Sequence, residues 1–121
     1  MSARCPALVL LALALLAGCG KGDRPPAGIQ GDPVRGRLAL TQYACHSCHV
    51  IPGVTGPETY VGRPLEGLGK RKTIVGGLPN TQDNLVRWIR DPHAVDAYSA
   101  MPDMGVTERD AIDISAYLLS Q

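Results

Sequence analysis

Cys45-His46-Ser47-Cys48-His49 is the stretch on which the reading of this chain turns. Two thiols three residues apart on a helical turn face the same way and can add to the two vinyl groups of a haem, while the next imidazole can reach its iron. All three bonds come from five consecutive residues, which makes the pattern specific. Two other chemistries use paired cysteines. A structural zinc site requires further Cys or His ligands, and a dithiol redox pair usually sits in a βαβ setting. Beyond the pentapeptide the chain has only Cys5, Cys19 and His93 to offer.

The surrounding composition suits a small domain built around something other than its own side chains. The chain has 121 residues, room for one compact domain at most. There is no Phe, one Trp and four Tyr, and the hydrophobic fraction of 45% is partly concentrated in the first 19 residues. A haem's large apolar face can replace the missing aromatics at the centre. Fourteen Gly and ten Pro predict long irregular connections between a few short helices. With 12 Lys+Arg against 11 Asp+Glu, the chain lacks the basic excess of a general nucleic-acid binder.

Residues 1–18 read as an address. After Arg4 comes the apolar run Ala7 to Ala17, too short to span a membrane but right for a secretion signal. It ends in Leu16-Ala17-Gly18-Cys19, which resembles the lipobox of bacterial lipoproteins and implies acylation of Cys19 as the first mature residue. Residues 19–31 are polar and Gly/Pro-rich, a flexible tether reaching about 20 Å on a coil estimate. The folded domain is expected over 32–121. The implied location is the periplasmic or outer face of a bacterial membrane, held by a lipid anchor, and Gly20 after the cysteine leans towards the outer membrane.

Caps and period predict three helices. Asp32 and Pro33 open the first, which runs to about His46 with Gly36 and Leu40 on one face. The second starts at Thr81, carries Leu85, Val86, Trp88 and Ile89, and ends before Pro92. Thr107, with Asp110 three residues on, caps the third, whose Ala111, Ile114, Tyr117 and Leu118 form a stripe. The Gly/Pro-rich stretch 50–80 is long enough to require a ligand to wrap or another function.

A second axial ligand must come from elsewhere, and Met101, Met104 and His93 are the candidates. Thioether sulfur is a soft ligand suited to iron(II). The commoner role of a Met is gap-filling in a core, here assigned to Met104. His93, after Asp91-Pro92, reads as a solvent-facing loop residue, and His46 as exposed on a helix terminus.

From Asp32 to Leu119 the chain resembles the monohaem class I cytochrome c family, similar to the small bacterial domains associated with oxidase subunit II. The matching stretches include Cys-His-Ser-Cys-His at 45–49, Val-Gly-Arg-Pro-Leu-Glu-Gly-Leu at 61–68, Leu-Val-Arg-Trp-Ile-Arg-Asp-Pro at 85–92 and Met101-Pro102 followed by Ile112 to Leu118. The resemblance implies an all-α cytochrome c fold, three main helices with long loops wrapped around one covalently attached haem. It implies Cys45 and Cys48 as attachment points and His49 and Met101 as iron ligands, because Met101 precedes a Pro and lies about four turns before Tyr117. It places Gly36 and Leu40 against Tyr117 and Leu118, Trp88 at the haem crevice and Arg71 beside a propionate. Leu40 and Thr73 stand where the family usually has aromatic residues. Arg63 replaces a Pro whose carbonyl receives the N–H of the proximal imidazole, and that carbonyl survives the substitution.

An iron with both axial positions filled by protein has no position left for a substrate, so the expected role is electron carrier rather than enzyme. The expected partners are redox proteins: an oxidase, reductase or dehydrogenase. The alternatives are a haem-bearing subunit or sensor of a larger complex, and an enzyme with a displaceable Met101. Residues 63–90 hold Arg63, Lys70, Arg71, Lys72, Arg87 and Arg90 against Glu66 and Asp83, whereas 91–121 hold only Arg109 against six acidic residues. That asymmetry gives a dipole able to steer docking.

Overall fold

The computed structural model describes residues 24–121, so the signal segment, Cys19 and the first part of the tether lie outside the described residues. Helix α1 spans Pro33–Gln42. Asp32 Oδ1 accepts from the backbone N–H groups of Val34 (2.8 Å) and Arg35 (3.2 Å), and Pro33 takes the first helical position, where its missing donor is not needed. The helix ends at Gln42 rather than near His46. Ala44 adopts a left-handed conformation with φ of 54°, which breaks the ladder and starts a separate 3-10 turn over Cys45–Ser47.

Helix α2 spans Gln82–Arg90 behind a Thr81 cap and buries Leu85 and Ile89. Directly after it, Asp91 and Pro92 repeat the device used at α1. Asp91 accepts from the Ala94 N–H at 3.0 Å and starts a short helix α3, Pro92–Val95, where a loop was expected. Helix α4, Glu108–Leu119, is closed by reciprocal bonds: Asp110 N–H donates to Thr107 Oγ1, and Thr107 Oγ1 donates to the Asp110 carboxylate.

The two outer helices meet backbone to backbone. A Cβ added at Gly36 would lie 2.0 Å from the Asp113 carbonyl oxygen and 2.9 Å from the Ile114 nitrogen, so only glycine permits this crossing. Gly36 thus sits one turn earlier along α4 than the expected contact with Tyr117 and Leu118. Leu40, Leu85, Ile89, Ile114 and Leu118 belong to one buried cluster. Helix α4 buries far more than the expected stripe, taking in Asp113, Ser115, Ala116 and Leu119 as well. The reason is that α1 and α2 both pack against it. Among the described residues there is no β-strand, only the isolated bridges Ile51–Val54 and Thr73–Pro79. The fold is all-α.

The end of the tether is part of this packing. Ile29 packs against the core. The Gln30 N–H donates to Gln82 Oε1 at 2.8 Å, and Gln82 Nε2 donates back to the Gln30 carbonyl at 2.7 Å and on to Ser115 Oγ at 2.9 Å. Residues just before Asp32 therefore pack with the folded unit.

Asp113 ties the same junction from within. Its side chain is 3% exposed and accepts from Arg35 Nε at 2.7 Å, Arg35 Nη2 at 3.0 Å and the Asp32 N–H at 2.7 Å. Burial pushes its carboxyl up, but these donors outweigh burial and hold it below the ordinary carboxylate range. A depressed folded-state value confers stability above the unfolded pKa of about 3.9, lost as pH falls through the folded value. Asp113→Asn is therefore expected to lower the urea midpoint at pH 6, and its deficit relative to the unaltered chain should shrink as pH is brought to 3.

Candidate functional site

The turn at Cys45–Ser47 forms because Ser47 N–H and Cys48 N–H donate to the carbonyls of Ala44 (2.9 Å) and Cys45 (3.2 Å), with His49 N–H also donating to Cys45 (3.0 Å). Cys45 and Cys48 consequently share one turn, as their spacing required. Both are free, half-buried thiols. Burial pushes the Cys45 thiol up, the opposite of the activation a redox dithiol needs. Among the described residues no group of three or more His, Cys, Asp or Glu side chains is poised to hold a metal, which leaves the pair without the companions of a zinc site.

Cys45, Cys48, His49, Arg71, Trp88 and Met101 all line one cavity of about 330 Å³. That volume falls within the range of about 300–1,000 Å³ common for small-molecule and cofactor sites. The rest of its wall is mainly aliphatic, including Leu40, Leu68, Leu85, Ile89, Ile114 and Leu118. Much of the 61–75 segment also lies on it, so the long loop wraps this space as expected.

His49 is oriented by backbone. Its Nδ1 lies 2.7 Å from the Arg63 carbonyl oxygen. A carbonyl can only accept, so Nδ1 carries the proton and the Nε2 lone pair is left for another partner. The loop supplying that carbonyl is pinned on both sides. The Gly62 N–H donates to the Cys48 carbonyl (2.8 Å) and the Leu65 N–H to the Val50 carbonyl (2.9 Å). Arg71 Nη2 donates to the carbonyls of Pro64 (2.6 Å) and Glu66 (3.0 Å). Arg71 is thus on the cavity wall with part of its guanidinium already committed to the loop.

Three other residues depart from expectation in whole or in part. Met104 is 41% exposed at the cavity wall rather than filling a core gap. His46 is half-buried instead of exposed, its Nδ1 enclosed without a hydrogen-bond partner. His93 is exposed, as expected, but on α3 rather than in a loop. Cys19 lies outside the described residues.

Gly62 escaped sequence reasoning, being one glycine among many in a loop. A Cβ there would fall 2.2 Å from His49 Cε1 and 2.5 Å from Nδ1. Tyr43 was missed as well. It lines the cavity, and its hydroxyl donates to Asp110 at 2.7 Å, tying the residues before Cys45 to the start of α4.

No family model matches the chain. It is 37% identical over 89 residues to cytochrome c oxidase subunit 2 of Alkalihalophilus pseudofirmus, covering 71% of this chain and 25% of the relative. The chain thus spans about a quarter of the length of the curated relative it matches. Among solved structures it is similar to cytochrome c2 from Rhodobacter sphaeroides, with a TM-score of 0.59 and 27% identity, covering 74% of this chain and 94% of that one.

Gly62→Ala is expected to displace the His49 ring from the Arg63 carbonyl and to destabilise the protein by about 1–3 kcal/mol, the usual cost of overpacking. Urea unfolding measures the loss, and the ring Nδ1–H resonance should lose its hydrogen-bonded shift.

Proposed function

This chain belongs to the class I cytochrome c-like family, and from that premise we propose that it is a membrane-tethered monohaem carrier of single electrons between respiratory partners. The observation that carries the reading is the cavity wall itself: two free thiols on one turn, followed by an imidazole whose Nδ1 proton is fixed on the Arg63 carbonyl. The residues fit a haem. The thiols stand at the edge of an apolar space, and the Nε2 of His49 is the ring nitrogen free to bind iron.

In this reading Cys45 and Cys48 would hold the group covalently, and His49 and Met101 would ligate its iron. Arg71 and Trp88 belong to its surroundings. A bound haem supplies reversible one-electron chemistry at its iron. The aliphatic wall from α1, α2 and α4 excludes water, and the Arg63 carbonyl keeps the His49 ring from turning. Both ligands being protein groups, the chain acts as a carrier rather than as an enzyme.

Among the described residues no helix is long and apolar enough to cross a membrane. Attachment in this proposal rests on Cys19, whose acylation would supply more than one lipid chain, enough for stable anchoring. The match to an oxidase subunit favours one second reading, a haem-bearing subunit of a larger oxidase. Copurification with a partner complex separates the two.

The haem should resist acid-acetone extraction. Met101→Ala is expected to abolish the sulfur-to-iron charge-transfer band of the oxidised protein, and Met104→Ala to retain it. The reverse result would move the axial ligand to Met104. Separately, Cys19→Ser should shift the protein from the membrane to the soluble exported fraction with its haem spectrum unchanged. Unaltered fractionation, with no lipid found by mass spectrometry, would remove the anchor.

A further inference from the structure

Few buried side chains hold the loop that bears Met101. Pro92 and Val106 are buried, but none of the residues between them is. Its shape therefore depends on hydrogen bonds, and most of these are local: Tyr98 N–H to Asp96 Oδ1 (3.0 Å), Ser99 N–H to the Asp96 carbonyl (3.0 Å) and Gly105 N–H to Asp103 Oδ1 (2.8 Å). Two further bonds join into a chain. His93 Nε2 lies 3.2 Å from the Ser99 carbonyl oxygen, which can only accept, so the ring donates there. Ser99 Oγ in turn accepts the Met101 N–H at 3.0 Å.

His93 itself stands on a fixed base. Helix α3 starts at the buried Pro92, is capped by Asp91, and receives a bond from α2 through Arg87 Nη2 to the Ala94 carbonyl (3.4 Å). We propose that His93 and Ser99 are positioning residues for Met101, carrying the fixed location of α3 across the loop to the backbone of the sulfur ligand. The inference rests on the reading that Met101 binds the iron. Ser99 works on both sides, its carbonyl receiving from His93 and its hydroxyl receiving from Met101. Neither residue lines the cavity. Their effect is to hold the thioether near the metal, so that an incoming ligand competes with a sulfur at high effective concentration.

The test uses the haem-loaded protein, with two readouts: amide hydrogen exchange at Met101 and carbon monoxide association with the reduced protein. His93→Ala and Ser99→Ala should each raise both by about tenfold, the scale of one lost hydrogen bond, and leave the Gly105 amide unchanged. His93→Gln, whose side-chain amide can donate to the same carbonyl, should restore both towards the original values. Unchanged exchange and unchanged carbon monoxide kinetics in His93→Ala would overturn the proposal. So would faster exchange without faster carbon monoxide binding while the charge-transfer band still depends on Met101. If Met101→Ala keeps that band, the ligand assignment fails first and the positioning role with it, and the Met101 amide then reports only a loop restraint.

Discussion

The backbone of α1 lies directly on the backbone of α4 at Gly36, with the Asp113 carbonyl where any side chain would have to be. Much of the site follows from this closeness. The chain leaves α1 towards Cys45, and it enters α4 immediately after the Met101 loop. Bringing these two helices into contact therefore brings the thiol pair and the thioether to one space, although they are more than fifty residues apart in sequence. The Tyr43 hydroxyl on the Asp110 carboxylate repeats the link beside the cavity. Tyr117 adds another by donating to the Pro52 carbonyl at 2.5 Å, which fixes the loop beyond His49 to α4. A bond of that kind contributes about 1 kcal/mol, whereas forcing a methyl group into the crossing would separate the helices themselves.

The cavity explains how a chain with no Phe and a single Trp can have a centre. Leucine and isoleucine side chains from three helices converge on it without closing it, and the loops complete the wall from the open side. The polar demands of that arrangement are met by backbone. His49 is oriented by a carbonyl, Arg71 holds carbonyls, and Asn80 Nδ2 donates to the carbonyls of Leu68 (2.8 Å) and Arg71 (3.0 Å). This is why Arg63 can stand in a position where the resemblance to cytochromes c implies proline. The group that acts on His49 is the peptide oxygen, which every residue possesses.

Features governed by local chemistry were legible in the sequence. Asp32-Pro33, Thr81 and Thr107 announce helix starts because capping involves neighbours only, and the spacing of Cys45, Cys48 and His49 implies its own geometry. The same local grammar was present at Asp91-Pro92, where it was read as the end of α2 and not also as the beginning of α3. Other features depend on distant residues. Nothing near Gly62 in sequence shows that His49 presses on it, and nothing near Asp113 shows that Arg35 makes a buried carboxylate acceptable. The left-handed Ala44 is a further case, since alanine on its own favours continuing the helix.

The paired bonds between Gln30 and Gln82 bear on the geometry of encounter. If the proposed anchor at Cys19 holds, the packing of residues 29–31 on the domain limits the connection to the lipid to residues 20–28. A shorter connection has a smaller reach, and the turn closed by the Ile29 N–H on the Pro26 carbonyl (3.2 Å) shortens it further. The domain would then explore a shallower layer above the lipid, and the volume searched falls with the cube of that reach. Its rotation would be restricted too, because the leash would emerge from a clamped point beside α2. A partner embedded in the same bilayer would meet a restricted set of faces, and orientation would be partly settled before contact.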